Sequence, residues 1–339
     1  MENLHIADWP DVIVPVQTLS DSGILYVPQQ YIRPLSERPS GNNTTKKSDT
    51  SVKIPTIDLA GFASNDEHRK RILEEITDAC RNWGFFQVVN HGVDLDDVKR
   101  MRQGYGSRVG VDKAAILDWS DYYFLNLFPT NTTNPKMWPN APCNLRDVTQ
   151  KYTCHMMNLS SILLKAISNT LELDEEHLHM AFGGSHGISA NMRVTYYPKC
   201  PQPDLTLGLS PHTDVGGITL LLLDDNNISG TQVRKENEWV TLQSVPGAFI
   251  VNVGDQIQII SNGKYKSVEH RVLANSDQDR VNIAFFCNPE GDFPIAPASK
   301  LVSPVSPALY HPKTFNEYRK YARIKGINVR EQIESSDAK

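Results

Sequence analysis

Lys266-Ser267-Val268-Glu269-His270-Arg271-Val272-Leu273-Ala274-Asn275-Ser276-Asp277-Gln278-Asp279-Arg280-Val281-Asn282-Ile283-Ala284-Phe285-Phe286-Cys287 is the stretch that decides the fold. Two runs rich in Val, Ile and Phe flank a cluster of Asn, Ser and Asp, the grammar of strand, turn, strand. The same grammar holds from Ser189 onward, with Pro, Gly, Asn and Asp recurring about every 8–12 residues. Candidate strands cover residues 191–197, 217–223, 231–234, 239–242, 248–253, 266–273 and 281–287. Short strands at that spacing predict a sandwich or jelly-roll barrel, which encloses a small site between its sheets.

Upstream the period changes. Residues 37–51, rich in Ser, Asn, Thr and Lys, read as a loop between an N-terminal arm and the body. Ile54-Pro55-Thr56-Ile57-Asp58-Leu59 reads as an edge strand, because Pro lacks the donor a central strand needs. A helix capped by Asn65 or Asp66 follows, with Ile72, Leu73, Ile76, Ala79 and Cys80 on one face and Gly84 as its stop. Residues 85–89 form a strand, 156–171 a second helix, Asp174 caps a third, and 314–325 form the last. The fold class is therefore α+β with a mainly β core. Its parts are an arm and loop (1–52), a helical part with short edge strands (53–188), the jelly-roll core (189–311) and a C-terminal helix and tail (312–339).

Composition narrows the function classes. With 34 Lys plus Arg against 39 Asp plus Glu, the 339-residue chain has a net charge of −5, and 40% hydrophobic residues place it among globular proteins. Disorder, collagen and coiled coil are excluded. The mildly acidic balance has no Lys/Arg-rich tract, so no nucleic-acid partner is expected. No apolar run reaches the roughly 20 residues of a membrane helix, and the start lacks the basic and apolar regions of a secretory signal. A cytoplasmic protein, with the nucleus as a second compartment, is the expectation. The five cysteines show no C-x-x-C pair and are expected to be reduced thiols. The N-x-S/T matches at Asn42, Asn43, Asn131, Asn158 and Asn227 are then chance ones. Oligomeric state is not legible.

His212-Thr213-Asp214 places an imidazole and a carboxylate two residues apart, and on a strand such positions share a face. Alone the pattern is weak, with about 0.6 chance occurrences expected among ten His. A pair of solvated residues at a strand end is its ordinary reading. His270 sharpens the case: it lies mid-strand with Val268 and Val272 and should face inward with them. Two His and one carboxylate with open positions form the facial triad of non-haem Fe(II) oxygenases, whereas structural zinc wants a fourth ligand and prefers Cys. A hairpin centred on residues 275–279 would set Arg280 opposite His270, inside the barrel. A lone Arg there is ordinarily a surface residue, but beside the triad it demands an anion, and a ligand carboxylate is the natural one.

At this point a family resemblance enters. His212-Thr213-Asp214, His270, Arg280, Tyr196-Tyr197-Pro198-Lys199-Cys200-Pro201 and Trp83-Gly84-Phe85-Phe86-Gln87-Val88-Val89-Asn90-His91-Gly92 resemble the plant Fe(II)/2-oxoglutarate-dependent dioxygenases over residues 54–324. Gly104-Tyr105-Gly106-Ser107-Arg108, Asp118-Trp119-Ser120-Asp121-Tyr122-Tyr123, Phe249-Ile250-Val251-Asn252-Val253-Gly254-Asp255-Gln256 and Ala284-Phe285-Phe286 further resemble the jasmonate-induced oxygenases, which hydroxylate jasmonic acid at C12 and so lower hormone signalling. The resemblance implies a double-stranded β-helix, a cupin-like jelly roll braced by helices. It implies Fe(II), 2-oxoglutarate as cosubstrate, O2 and ascorbate as reductant. It assigns His212, Asp214 and His270 to iron, and Arg280 with Tyr197 to the distal carboxylate of 2-oxoglutarate. For the small-molecule substrate it implies an Arg193 and Arg319 carboxylate clamp, with Phe286 and Phe315 as walls. Core packing is the ordinary reading of the two Phe, and Arg319 alone would be a solvated helix residue.

Three departures stand out. Asn282 replaces the Ser of the family's R-x-S, Thr195 replaces the Asn before Tyr-Tyr-Pro, and a helix with its connecting loop is missing between Met101 and Gly104. The first two face the cosubstrate and predict weaker 2-oxoglutarate binding. Rival readings are a hydroxylase or desaturase of flavonoids, terpenoids or alkaloids, and a binding protein with an impaired site. A zinc hydrolase is more distant, since no general base or oxyanion donor is recognisable beside the triad.

Overall fold

The helical and strand periods of the chain sort into layers. The computed structural model describes residues 14–39, 51–62, 66–93, 116–129, 133, 138–139, 143–223 and 230–325. The Gly104 motif and the short join after Met101 lie outside them, as does Asn65. Helix α1 (Val16–Asp21) belongs to the arm, and β1 (Ser51–Val52), β2 (Thr56–Asp58), α2 (Asp66–Asn82) and β3 (Phe85–Val89) follow. Ile72, Ile76, Ala79 and Cys80 of α2 are buried, one stripe of a helix. Gly84 ends it at φ +64° and returns its N–H to the Ala79 carbonyl at 2.9 Å, the left-handed cap that suits Gly.

Next come β4 (Asp121–Phe128), α3 (Leu145–Thr170), α4 (His177–Ala181) and α5 (Gly184–Gly187). The strand-rich half holds β5 (Ser189–Tyr197), β6 (Leu207–His212), β7 (Ile218–Leu222), β8 (Thr231–Lys235), β9 (Glu238–Leu242) and β10 (Phe249–Val253). It continues with α6 (Asp255–Ile260), β11 (His270–Leu273), β12 (Arg280–Asn288), β13 (Pro294–Ile295) and β14 (Lys313–Thr314), and α7 (Phe315–Lys325) comes last. Thr314 and Glu317 open α7 with a reciprocal box: Thr314 N–H donates to the Glu317 carboxylate at 2.9 Å, and Glu317 N–H to the Thr314 hydroxyl at 3.2 Å. No helix among the described residues is long and apolar enough to cross a membrane.

Two sheets make a jelly roll. One has the order β2-β3-β10-β7-β12-β5-β4, the other β1-β9-β8-β11-β6. Side chains alternate across the larger sheet. Phe86, Leu220, Val251, Ile283 and Phe285 pack under Ile76, Met156 and Leu163 of the helices. Their sequence neighbours Phe85, Leu221 and Ile250 pack with Val233 and Leu242 of the smaller sheet. Covered on both faces, β7 and β10 are buried at every residue. As expected for a strand that begins beside a Pro, β2 lies at the sheet edge.

Several expectations are corrected. Helix α3 begins at Leu145 rather than near Met156, because Leu145, Val148 and Tyr152 continue its buried stripe between polar neighbours that hide the period. Strand β4 was not foreseen and pairs with β5, while Ser51 and Val52, read as the end of the arm and loop, form β1 beside β9. Strand β11 starts at His270, not Lys266, so His270 is its first residue rather than its middle. Ser267 N–H goes instead to the Gln258 side chain at 2.7 Å. Most consequentially, β11 and β12 are not a hairpin. They lie in different sheets, and Arg280 pairs with Tyr197 on β5 rather than with His270. Asp214 also lies beyond the end of β6, so a shared strand face is not what joins it to His212.

Candidate active site

His212 closes β6, His270 opens β11, and the two are opposite each other in that antiparallel pair. Their ring centroids are 4.2 Å apart. Asp214 sits in the turn after β6, with Oδ1 4.0 Å from His212 Nε2 and 3.8 Å from His270 Nε2. One donor atom from each of the three lies within 4.8 Å of the others, the one such group among the described residues. His212 Nδ1 contacts the Ser210 carbonyl at 2.8 Å and His270 Nδ1 the Val268 carbonyl at 3.2 Å. A carbonyl only accepts, so each Nδ1 carries a proton, and each Nε2 faces the Asp214 carboxylate.

Electrostatics favour the ligating forms. Burial, with His270 next to it, pushes His212 well below the usual imidazole pKa, so the ring is neutral. Burial opposes ionisation of Asp214, but His270, His212 and a hydrogen bond from Asn252 outweigh it and hold the carboxyl below its ordinary range. Asn252 Nδ2 donates to Asp214 Oδ2 at 2.9 Å and so orients Oδ1 toward the imidazoles. Two imidazoles and a carboxylate without thiolate, with His212 and Asp214 open to a cavity, are a donor set that fits a divalent iron with exchangeable positions.

Arg280, only 4% exposed, stands deeper in the barrel. Its Nη2 donates to the Leu273 carbonyl, its Nε has no hydrogen-bond partner, and its guanidinium stands 5.3 Å over the Tyr197 ring. Burial lowers its pKa. A buried cation with no carboxylate paired to it among the described residues can take an anion as its partner. Thr195 and Asn282 pair across β5 and β12 and line the same inner recess, with Tyr197 and the three metal-ligating candidates. On its outer side lies a cavity of about 790 Å³, lined by His212, Asp214, Arg193, Arg319, Phe286 and Phe315, among others. That volume suits a small organic ligand. Arg193 stacks at 4.1 Å on Tyr122 and has an Nε without a partner, while Arg319 stands 5.6 Å over Phe315 on α7.

The family model of the 2OG-Fe(II) oxygenase superfamily matches residues 188–289, and that of the non-haem dioxygenase in morphine synthesis N-terminal matches residues 54–105. Jasmonate-induced oxygenase 2 of Arabidopsis thaliana is 46% identical over 97% of this chain and 94% of its own length. The chain belongs to the 2OG-Fe(II) oxygenase superfamily. Leucoanthocyanidin dioxygenase of Malus domestica is 33% identical to this oxygenase, covering 89% of it and 93% of the relative. A crystal structure of JOX2 in complex with 2OG, Fe and JA superposes with a TM-score of 0.86 at 45% identity, covering 97% of this chain and 98% of that one. The alignment with jasmonate-induced oxygenase 2 spans 353 positions, more than the 339 residues here, so that relative carries residues this oxygenase lacks.

Geometry adds residues that sequence reasoning did not single out. Asn252, which orients Asp214, is the polar member of an otherwise apolar strand, a signal available in Phe249-Ile250-Val251-Asn252-Val253. Phe124 of β4 joins the outer cavity wall. Asp118 and Asp121 were quoted only as part of a motif. Asp118 pairs with the arm residue Arg33 at 2.6 Å, and the Asp121 carboxylate accepts the Val16 and Gln17 amides at 3.0 and 2.8 Å, so the motif docks the arm.

Proposed function

We propose that this oxygenase hydroxylates jasmonic acid at C12, with Fe(II), 2-oxoglutarate and O2, and thereby lowers hormone signalling. One observation carries the substrate class: Arg193 and Arg319 line one cavity with aromatic walls that reaches His212 and Asp214. Such a site suits a small amphipathic acid with its carboxylate at the Arg end and a C–H bond at the metal end.

His212, Asp214 and His270 would hold the iron, with Ser210, Val268 and Asn252 keeping the donors aimed. Arg280 would bind the distal carboxylate of 2-oxoglutarate, with Tyr197, Thr195 and Asn282 shaping the recess around it. When bound, iron and cosubstrate supply oxidative decarboxylation of 2-oxoglutarate to succinate and CO2, with one oxygen atom of O2 delivered to an unactivated C–H bond. The protein selects which bond that is. Arg193 and Arg319 would anchor the substrate carboxylate, and Phe286 and Phe315 restrict the chain to one approach. The same centre would serve desaturation if a different carbon were presented.

Anaerobic protein loaded with Fe(II) and 2-oxoglutarate should, on addition of air and jasmonic acid, form succinate and hydroxyjasmonate together. Succinate without an oxidised jasmonate would refute the substrate, and neither product from metal-loaded, folded protein would refute catalysis. We place the protein in the cytoplasm and nucleus, acting on small molecules rather than nucleic acid or membranes, on the strength of its net charge of −5 and lack of a basic tract. A fluorescent fusion concentrated in a membrane or organelle would contradict this.

A further inference from the structure

A fully buried carboxylate outside the ligand set joins the substrate helix to the metal-ligand turn. Asp255, the first residue of α6, is 0% exposed. Its Oδ2 accepts two hydroxyls, Tyr318 of α7 at 2.8 Å and Thr213 at 3.3 Å. Thr213 is the residue between His212 and Asp214. The Asp255 amide donates to the Asp214 carbonyl at 2.8 Å, so one residue grips both Thr213 and Asp214. The rest of the turn is held from the same place: Gly254 N–H donates to Gly217 O at 2.7 Å, Gln256 N–H to Gly216 O at 3.0 Å, and Gln256 Nε2 to Val215 O at 2.9 Å. Tyr318 lies one turn from Phe315 and beside Arg319, which line the outer cavity.

A buried acid is costly to desolvate, and the hydroxyls that satisfy it hold the elements they belong to in one arrangement. Here the arrangement fixed is the height of α7 above the ligand turn. Phe315 and Arg319 move with α7, while Thr213 moves with the two ligands on either side of it. Both hydroxyls converge on one oxygen, so a shift of the helix changes the anchor of the turn.

We propose that Tyr318 is a positioning residue which, through Asp255 and Thr213, couples seating of the substrate carboxylate on α7 to the geometry of the His212–Asp214 turn. The inference rests on the jasmonate reading above. Tyr318→Phe tests it, because the ring keeps its packing and only the hydroxyl is lost. In the full-length, iron-loaded enzyme, Tyr318→Phe should raise the KM for jasmonic acid by roughly tenfold, the equivalent of one hydrogen bond to a charged group. The Kd of 2-oxoglutarate should stay unchanged. Succinate formed per hydroxyjasmonate should rise at least twofold. A second readout needs no turnover: under nitrogen, jasmonic acid should slow amide exchange of residues 212–217 in the wild type and not in Tyr318→Phe. Thr213→Val should reproduce the variant, and Thr213→Ser, which keeps the hydroxyl, should restore it.

Unchanged product ratio and unchanged protection in Tyr318→Phe would overturn the coupling while leaving the substrate reading intact, and so would equal behaviour of Thr213→Val and Thr213→Ser. A wild type that forms no hydroxyjasmonate would overturn the substrate reading and this inference with it.

Discussion

Cutting the link between the N-terminal arm and the barrel should separate two buried charges with unequal consequences. Arg33 is 7% exposed and Asp118 8%; Arg33 Nη2 donates to Asp118 Oδ1 at 2.6 Å and to Ser210 Oγ at 2.6 Å. Glu37 stands 3.5 Å from the other terminal nitrogen of Arg33 but is 44% exposed. Removing one partner of a buried pair costs about 3–5 kcal/mol, chiefly because the other charge is left desolvated. Arg33→Met takes the guanidinium from a buried carboxylate and should lie at the upper end of that range. Asp118→Asn leaves Arg33 its half-screened Glu37 and should lie near ~3 kcal/mol. In the double variant Arg33→Met/Asp118→Leu no charge is stranded, and stability should return to within ~1 kcal/mol of the wild type. With an unfolding entropy of about 2.1 cal/mol/K per residue, a 4 kcal/mol loss in a 339-residue chain lowers Tm by roughly 6 °C. Calorimetry on the three variants and the wild type closes the cycle. Additive losses, with the double variant as unstable as the two singles summed, would refute the reasoning. The cluster also reaches His212, whose Nδ1–H donates to the Ser210 carbonyl. Arg33→Met should therefore weaken Fe(II) binding about tenfold, as losses behind a metal ligand do.

Arg280→Leu should weaken 2-oxoglutarate binding by about a hundredfold, since two charge-assisted hydrogen bonds from a buried guanidinium are lost; titration of the cosubstrate measures it. Asn282→Ser and Thr195→Asn, which face each other across β5 and β12, should each tighten 2-oxoglutarate, and an unaltered affinity would count against the shape argument. Arg319→Ala should lose most jasmonate turnover, whereas a weak effect would point to an uncharged substrate. Gly84→Ala should cost more than about 1 kcal/mol by chemical denaturation, because φ is +64° and the new methyl would clash with the Lys266 carbonyl oxygen.

Much of the candidate site was legible because its residue types are unusual where they stand. An imidazole and a carboxylate two apart, a His among Val residues and an Arg after a turn cluster each break the pattern of a half-buried strand. The position of Arg280 was inferred by an argument that the structure overturns. The residue is buried as expected, but by pairing with Tyr197 in the larger sheet, not by facing His270 in a hairpin. Asn275 closes the intervening turn by accepting the Asp277 and Gln278 amides at 2.7 and 3.0 Å, a local motif that reads the same whether the chain doubles back or crosses to the other sheet. The second motif read without a role, around Asp118, gained one only from the arm that packs on it, about 85 residues away in the chain.

By itself the sequence determined the chemical inventory and the local periods: which residues can bind a metal or an anion, where many of the strands and helices run, and that an α+β jelly roll was to be expected. These follow from properties of single residues and near neighbours, where a period of two or 3.6 states which side chains share a face. Only the tertiary structure decided which strands share a sheet, how His212 meets His270, why Arg280 has Tyr197 as its neighbour, and that Asp255 joins α7 to the turn of residues 212–214. Those facts depend on pairings between segments tens of residues apart, and a period says which face a residue takes but not what lies across from it.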